Sequence, residues 1–185
     1  MDHTKGLVII HTGEGKGKTT SALGLALRAW GNGLHILIIQ FIKGGQHYGE
    51  LDAISALQSV ESETTGHIEI HQCGKGFTQR KTKNTNMDDH IAAAHGALNT
   101  AVDEMNSSNW DMIILDEICY AIKFNLIDLN DVVEIINQKP SQLHLVLTGR
   151  DAPKELISKA DLVTEMKLVR HPYQHGIKAQ KGIEF

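Results

Sequence analysis

The chain has 185 residues, 41% of them hydrophobic and 22% charged, with a formal net charge of −4 and three prolines. That length builds one core and is short for two, so a single domain over residues 1–185 is expected, and the composition excludes disordered and fibrous classes. An acidic balance gives no general pull on polyanions, and the densest basic stretch, Lys75 to Lys83, reads as a solvated loop with at most one anion contact, so nucleic acid is not an expected partner.

Met1 to Lys5 lead at once into a short apolar run, Leu7 to Ile10, that ends at His11. The run has strand length and is too short for a signal peptide or a membrane span, so a cytoplasmic location with no membrane association is expected. Cys73 and Cys119 lie far apart without C-x-x-C spacing, which suits a reducing compartment.

The first strand runs into Gly13-Glu14-Gly15-Lys16-Gly17-Lys18-Thr19-Thr20 and then into a helix whose apolar face is marked by Leu23, Leu27 and Trp30. A glycine-rich turn between a strand and a helix is the context of a phosphate site. The strict pattern G-x-x-x-x-G-K-[ST] is not met, because Thr12 stands five places before Gly17. The physics tolerates that change. Gly13, Gly15 and Gly17 can take positive φ and aim successive N–H groups at one anion, which then sits at a helix N-terminus. Lys18 adds a point charge, Lys16 a second cation at the mouth, and the Thr19 hydroxyl is placed to ligate a magnesium ion on the phosphates.

His35 to Phe41 is the second predicted strand, and Leu51, Ile54 and Leu57 stripe the helix after it. His67 to Ile70 is the third. His67, Glu69 and His71 share one of its faces, which suits either a polar face on an edge strand or a metal site. Ile91, Ala94, Leu98, Ala101 and Met105 mark a long helix, and Met112 to Leu115 the fourth strand. That strand ends in Asp116-Glu117, two carboxylates where a phosphate-bound magnesium needs one.

Asp128 is a predicted N-cap for a helix through Val132, Val133 and Ile136 that must end near Lys139, because Pro140 follows. Leu143 to Thr148 and Leu162 to Val169 complete six strands. Arg150, just past the fifth, is placed either to touch a phosphate or to pair with Asp151. Strands alternating with helices, most of them continuously apolar, predict an α/β fold with a mostly parallel six-stranded sheet covered by helices on both faces. ATP and magnesium binding follow from these residues. The reaction does not, because kinases and ATPases use the same parts.

Longer strings narrow the choice. The loop Gly13 to Thr19, then Gln40-Phe41-Ile42-Lys43-Gly44, Gly76-Phe77-Thr78, Leu115-Asp116-Glu117, Leu147-Thr148-Gly149-Arg150-Asp151 and the tail Gly176 to Glu184 resemble the P-loop class of ATP:corrinoid adenosyltransferases, which includes the cob(I)yrinic acid a,c-diamide adenosyltransferases. The resemblance implies a RecA-like homodimer that transfers the 5′-deoxyadenosyl group of ATP to a cobalt(I) corrinoid and releases tripolyphosphate. An electron donor such as a flavoprotein would keep the cobalt reduced. By matching position, Gly13, Glu14, Gly15, Lys16, Gly17, Lys18, Thr19, Thr20 and Arg150 would bind ATP. Thr19 and Glu117, supported by Asp116, would hold magnesium or manganese. Lys18, Thr19 and Glu117 would stabilise the departing triphosphate, and Phe77 would pack against the corrinoid. Two positions depart from the pattern, with Gln79 where many members carry a tryptophan and Gln174 where an aspartate is usual.

Overall fold

The structure is a computed structural model that describes residues 5–45, 47–60, 64–76 and 87–184. Six parallel strands form one sheet in the order β3-β2-β4-β5-β1-β6. They are β1 (Val8–Thr12), β2 (Ile36–Gln40), β3 (Ile68–Gln72), β4 (Met112–Asp116), β5 (His144–Thr148) and β6 (Leu162–Glu165). The α-helices between them are α1 (Lys18–Trp30), α2 (Gly49–Ser59), α3 (Met87–Asn106), α4 (Ile118–Lys123), α5 (Leu129–Gln138) and α6 (Lys154–Ile157). The α/β class and the six-stranded parallel sheet are therefore those expected.

Two apolar layers sandwich the sheet. Ala22, Ala26 and Ala29 of α1 and Ile54 of α2 cover Ile9, Ile36, Ile38, Ile114 and Val146. On the opposite face, α3, α4, α5 and α6 cover Ile10, Leu37, Ile39, Ile113, Leu115, Leu145 and Leu147. Connections stepping toward β3 run over the α1–α2 face and those stepping toward β6 over the other, as right-handed crossovers demand. The chain consequently leaves the ends of β2 and β4 in opposite directions. A crevice at such a point is where ligands sit in open parallel sheets.

Two local expectations change. The buried stripe of α1 is Ala22, Ala26 and Ala29, with Leu23 and Trp30 only flanking it and Leu27 53% exposed. Alanines let the helix backbone lie close to the sheet, where leucines would hold it off. The last strand stops at Glu165, and every residue of it is exposed, since it forms the sheet edge and pairs only with β1. By contrast, the stripe of α3 is as read, while α2 buries only Ile54 of its stripe and leaves Leu51 and Leu57 half-buried. Asp128 caps α5 by accepting the Asn130 N–H at 2.7 Å, and the helix ends at Gln138.

Candidate functional site at the strand ends

β1 delivers the glycine-rich turn to the C-terminal edge of the sheet. Gly13 and Gly17 take φ of +97° and +105°, conformations that exclude a side chain. Gly15 differs from expectation: its φ is not positive, and close packing is what requires glycine. Its N–H donates to the Met166 carbonyl at 2.6 Å, and a Cβ there would lie 2.7 Å from the same oxygen. The Lys18 ammonium reaches back to the carbonyls of Gly13 and Gly15, both at 2.7 Å, and burial lowers its pKa.

The other charges of the loop face its rim. Lys16 pairs with Glu184 of the tail. Arg150 donates to Glu14 at 2.9 Å, while Asp151 pairs with Lys123 instead. Thr20 is exposed on the first turn of α1.

At the centre of the sheet lies Asp116, 1% exposed. One of its oxygens accepts from the Thr19 hydroxyl at 2.8 Å and from the Thr148 hydroxyl at 2.7 Å, and the other from Gln40 at 3.1 Å. Thr19, just past the glycine-rich turn, and the strand carboxylate, nearly a hundred residues apart in sequence, therefore touch. Glu117 follows with φ of +65°, its N–H donating to Thr148 Oγ1 at 2.8 Å. One of its carboxylate oxygens is buried without a partner among the described residues. Burial first, and the neighbouring Asp116 second, push its pKa up to about 7. Thr19, Asp116 and this orphaned oxygen together present hard oxygen donors of the kind magnesium takes.

The sequence profile described as ATP:corrinoid adenosyltransferase BtuR/CobO/CobP matches residues 4–185. The chain belongs to this adenosyltransferase family. A corrinoid adenosyltransferase from Sinorhizobium sp is 40% identical over 182 residues, 98% of this chain and 81% of the relative. Another from Pseudomonas aeruginosa is 37% identical across 98% of this chain and 84% of its own. The Escherichia coli K12 protein of the same description is 35% identical across 98% and 86%.

In this adenosyltransferase chain, register lines up Asp116 with residues that motif reading left without roles. Gln72, Gln40, Asp116, Thr148, His11 and Thr164 stand side by side in one row across all six strands. Gln72 donates to Gln40 at 3.1 Å and Gln40 to Asp116, so the carboxylate is held from β3 through β2. Lys43, just past β2, donates to Glu50 at 2.7 Å and lies 3.8 Å from Asp116. The strings containing Gln40, Lys43 and Thr148 are parts of the family resemblance, yet only the folded contacts show that they converge on Asp116.

Phe77, with Thr78, Gln79 and all but the start of the basic stretch from Lys75, lies outside the described residues. His67, Glu69 and His71 do share a face of edge strand β3, where Glu69 bonds His67 at 2.8 Å and His71 at 3.1 Å. These mutual bonds fit the polar-edge reading. Both cysteines are free, and no described helix is long and apolar enough to cross a membrane.

Proposed function

We propose that the chain binds ATP and magnesium at the phosphate loop, moves the 5′-deoxyadenosyl group to the cobalt(I) of a reduced corrinoid, and releases tripolyphosphate. What carries the reading is the contact of Thr19 with buried Asp116, inside a chain that matches the adenosyltransferase family from residue 4 to residue 185. In this reading the glycine loop, Lys16, Lys18, Thr20 and Arg150 hold the triphosphate, with Glu14 steering Arg150. Thr19, Asp116 and Glu117 hold magnesium, which neutralises phosphate charge when bound. Corrinoid packs at Phe77.

The reaction needs no protein base. Cobalt(I) donates its electron pair to the ribose C5′, the Co–C bond forms as the C5′–O bond breaks, and that bond's pair departs on the triphosphate. Cobalt ends formally oxidised by two electrons, and no proton moves. Catalysis is then a matter of holding the reactants in line and stabilising the charge that appears on the leaving group. We further infer a cytoplasmic homodimer served by an electron donor such as a flavoprotein.

An anaerobic assay with ATP, magnesium and chemically reduced cobalamin tests this. Adenosylcobalamin with tripolyphosphate is expected. ADP and phosphate with an unchanged corrinoid spectrum would instead establish a P-loop ATPase or kinase.

A further inference from the structure

On its α1 face β2 presents Ile36, Ile38 and then Gln40, which is fully buried. Packing alone would be met by a third aliphatic side chain, and burying a primary amide is costly unless its hydrogen bonds are made. They are made in one direction only. Gln40 Nε2 donates to Asp116 Oδ2 at 3.1 Å, and Gln40 Oε1 accepts from Gln72 Nε2 at 3.1 Å. A carboxylate accepts and does not donate, so the amide nitrogen has to face Asp116 and the amide oxygen the Gln72 donor. Glu50 borders the same amide: burial disfavours its charged form, yet hydrogen bonds from Lys43, from its own backbone and from Gln40 lower its pKa. The backbone is stitched as well, with Cys73 N–H donating to the Gln40 carbonyl at 3.1 Å and Phe41 N–H to the Asp116 carbonyl at 3.0 Å.

Asp116 treats its two oxygens differently. Oδ1 takes the hydroxyls of Thr19 and Thr148, whereas Oδ2 takes the Gln40 amide, with the Lys43 ammonium 3.8 Å away. A full charge at that distance pulls Oδ2 toward it, and the shorter amide bond holds the carboxylate plane where Oδ1 meets Thr19. With its proton on Oδ1, the Thr19 hydroxyl keeps its lone pairs free for a cation.

We propose that Gln40 is a positioning residue for the magnesium site: it fixes the Asp116 carboxylate so that the Thr19 oxygen stays presented to the metal, and Gln72 behind it sets the direction of the amide. This rests on the reading of ATP and magnesium binding given above. In this role Gln40 touches neither the metal nor the nucleotide. The glycine loop and Lys18 hold phosphate by groups that make no bond to Gln40, since the Lys18 ammonium is fastened to the Gly13 and Gly15 carbonyls. Loss of the amide therefore acts on the metal and spares the loop's own grip on ATP, a separation that a merely structural glutamine would not produce.

Calorimetry of ATP binding to the full chain, without corrinoid, reads the two effects apart when magnesium is varied and when it is chelated. Gln40→Met keeps the length and removes the donor. It is expected to raise the magnesium concentration for half-maximal ATP binding by about 10- to 100-fold, with ATP affinity in chelator within about threefold of native. Gln72→Met, at the half-buried end of β3, should shift the magnesium requirement in the same direction by about three- to tenfold. Gln58→Met removes an amide bond to the Ile68 carbonyl at the far end of β3 and should leave the magnesium requirement native. An unchanged requirement in Gln40→Met, an equal loss of ATP affinity with and without metal, or an equal shift in Gln58→Met would each overturn the proposal. Should Gln40→Met fail to fold, Gln72→Met decides, and a native magnesium requirement there refutes it. A native chain whose ATP binding ignores magnesium and which makes no adenosylated corrinoid sinks the function itself. Magnesium-dependent binding in the native chain with indifferent Gln40 variants sinks only this inference.

Discussion

The centre and the rim of this site hold their charges by opposite means. At the centre, Asp116 is buried and takes its hydrogen bonds from neutral donors on three elements, Thr19, Thr148 and Gln40, with the Lys43 ammonium 3.8 Å away. On the rim, Glu14 and Arg150 meet as an ion pair with both side chains substantially in water. The central arrangement costs desolvation and gains fixed geometry. The rim arrangement costs little and holds little, so its cations can pass to a polyphosphate at small expense. Position is set inside, and charge is exchanged outside.

The sharpest way to test that contrast is Glu117→Gln. The pKa of Glu117 is raised in the folded protein from 4.5 to about 7, so the native state holds its proton more tightly than the unfolded chain. Its contribution is therefore neutral below pH 4.5, becomes increasingly unfavourable as pH rises toward 7, and is fully unfavourable above that. The ligand-free Gln variant should gain up to about 3 kcal/mol over native protein at pH 8, with the gap closing below pH 4.5, while losing activity. Urea unfolding across that range measures it. A gap that does not change with pH would mean that the carboxylate is not desolvated.

Thr148→Val comes next. It removes the donor to Asp116 and leaves the Glu117 N–H without its acceptor, for a loss of about 1–3 kcal/mol in unfolding free energy, measured by urea denaturation. Smallest is Glu14→Gln, which should change stability by no more than about 0.5 kcal/mol, because an exposed pair is screened. A loss from Glu14→Gln as large as that from Thr148→Val would erase the distinction between rim and centre.

How much of this was legible in the sequence depends on how local each feature is. The glycine-rich turn between β1 and α1, the Asp128 cap and the stop before Pro140 are written in neighbouring residues and are found where expected. The face of α1 misled, because exposed Leu27 follows helical spacing as faithfully as buried Ala26 does, and the closeness of helix to sheet is not a property of the helix alone. The row from Gln72 to Thr164 was illegible for a deeper reason. Each member is a polar residue at or next to the end of its strand, and only strand order, which a single sequence does not contain, makes neighbours of β3, β2, β4, β5, β1 and β6. Gly15 looked like a residue that needs an unusual φ, whereas it needs room for Met166.

That contact between Gly15 and Met166 has a consequence for the growing chain. Gly15 leaves the ribosome well before Met166, whose carbonyl receives its N–H, and Lys16 well before its partner Glu184. Contacts so distant along the chain form late and slowly. Until those later residues are made, the glycine-rich loop therefore waits with its partners missing. A nascent chain should complete this loop only late in folding, when β6 joins the sheet beside β1.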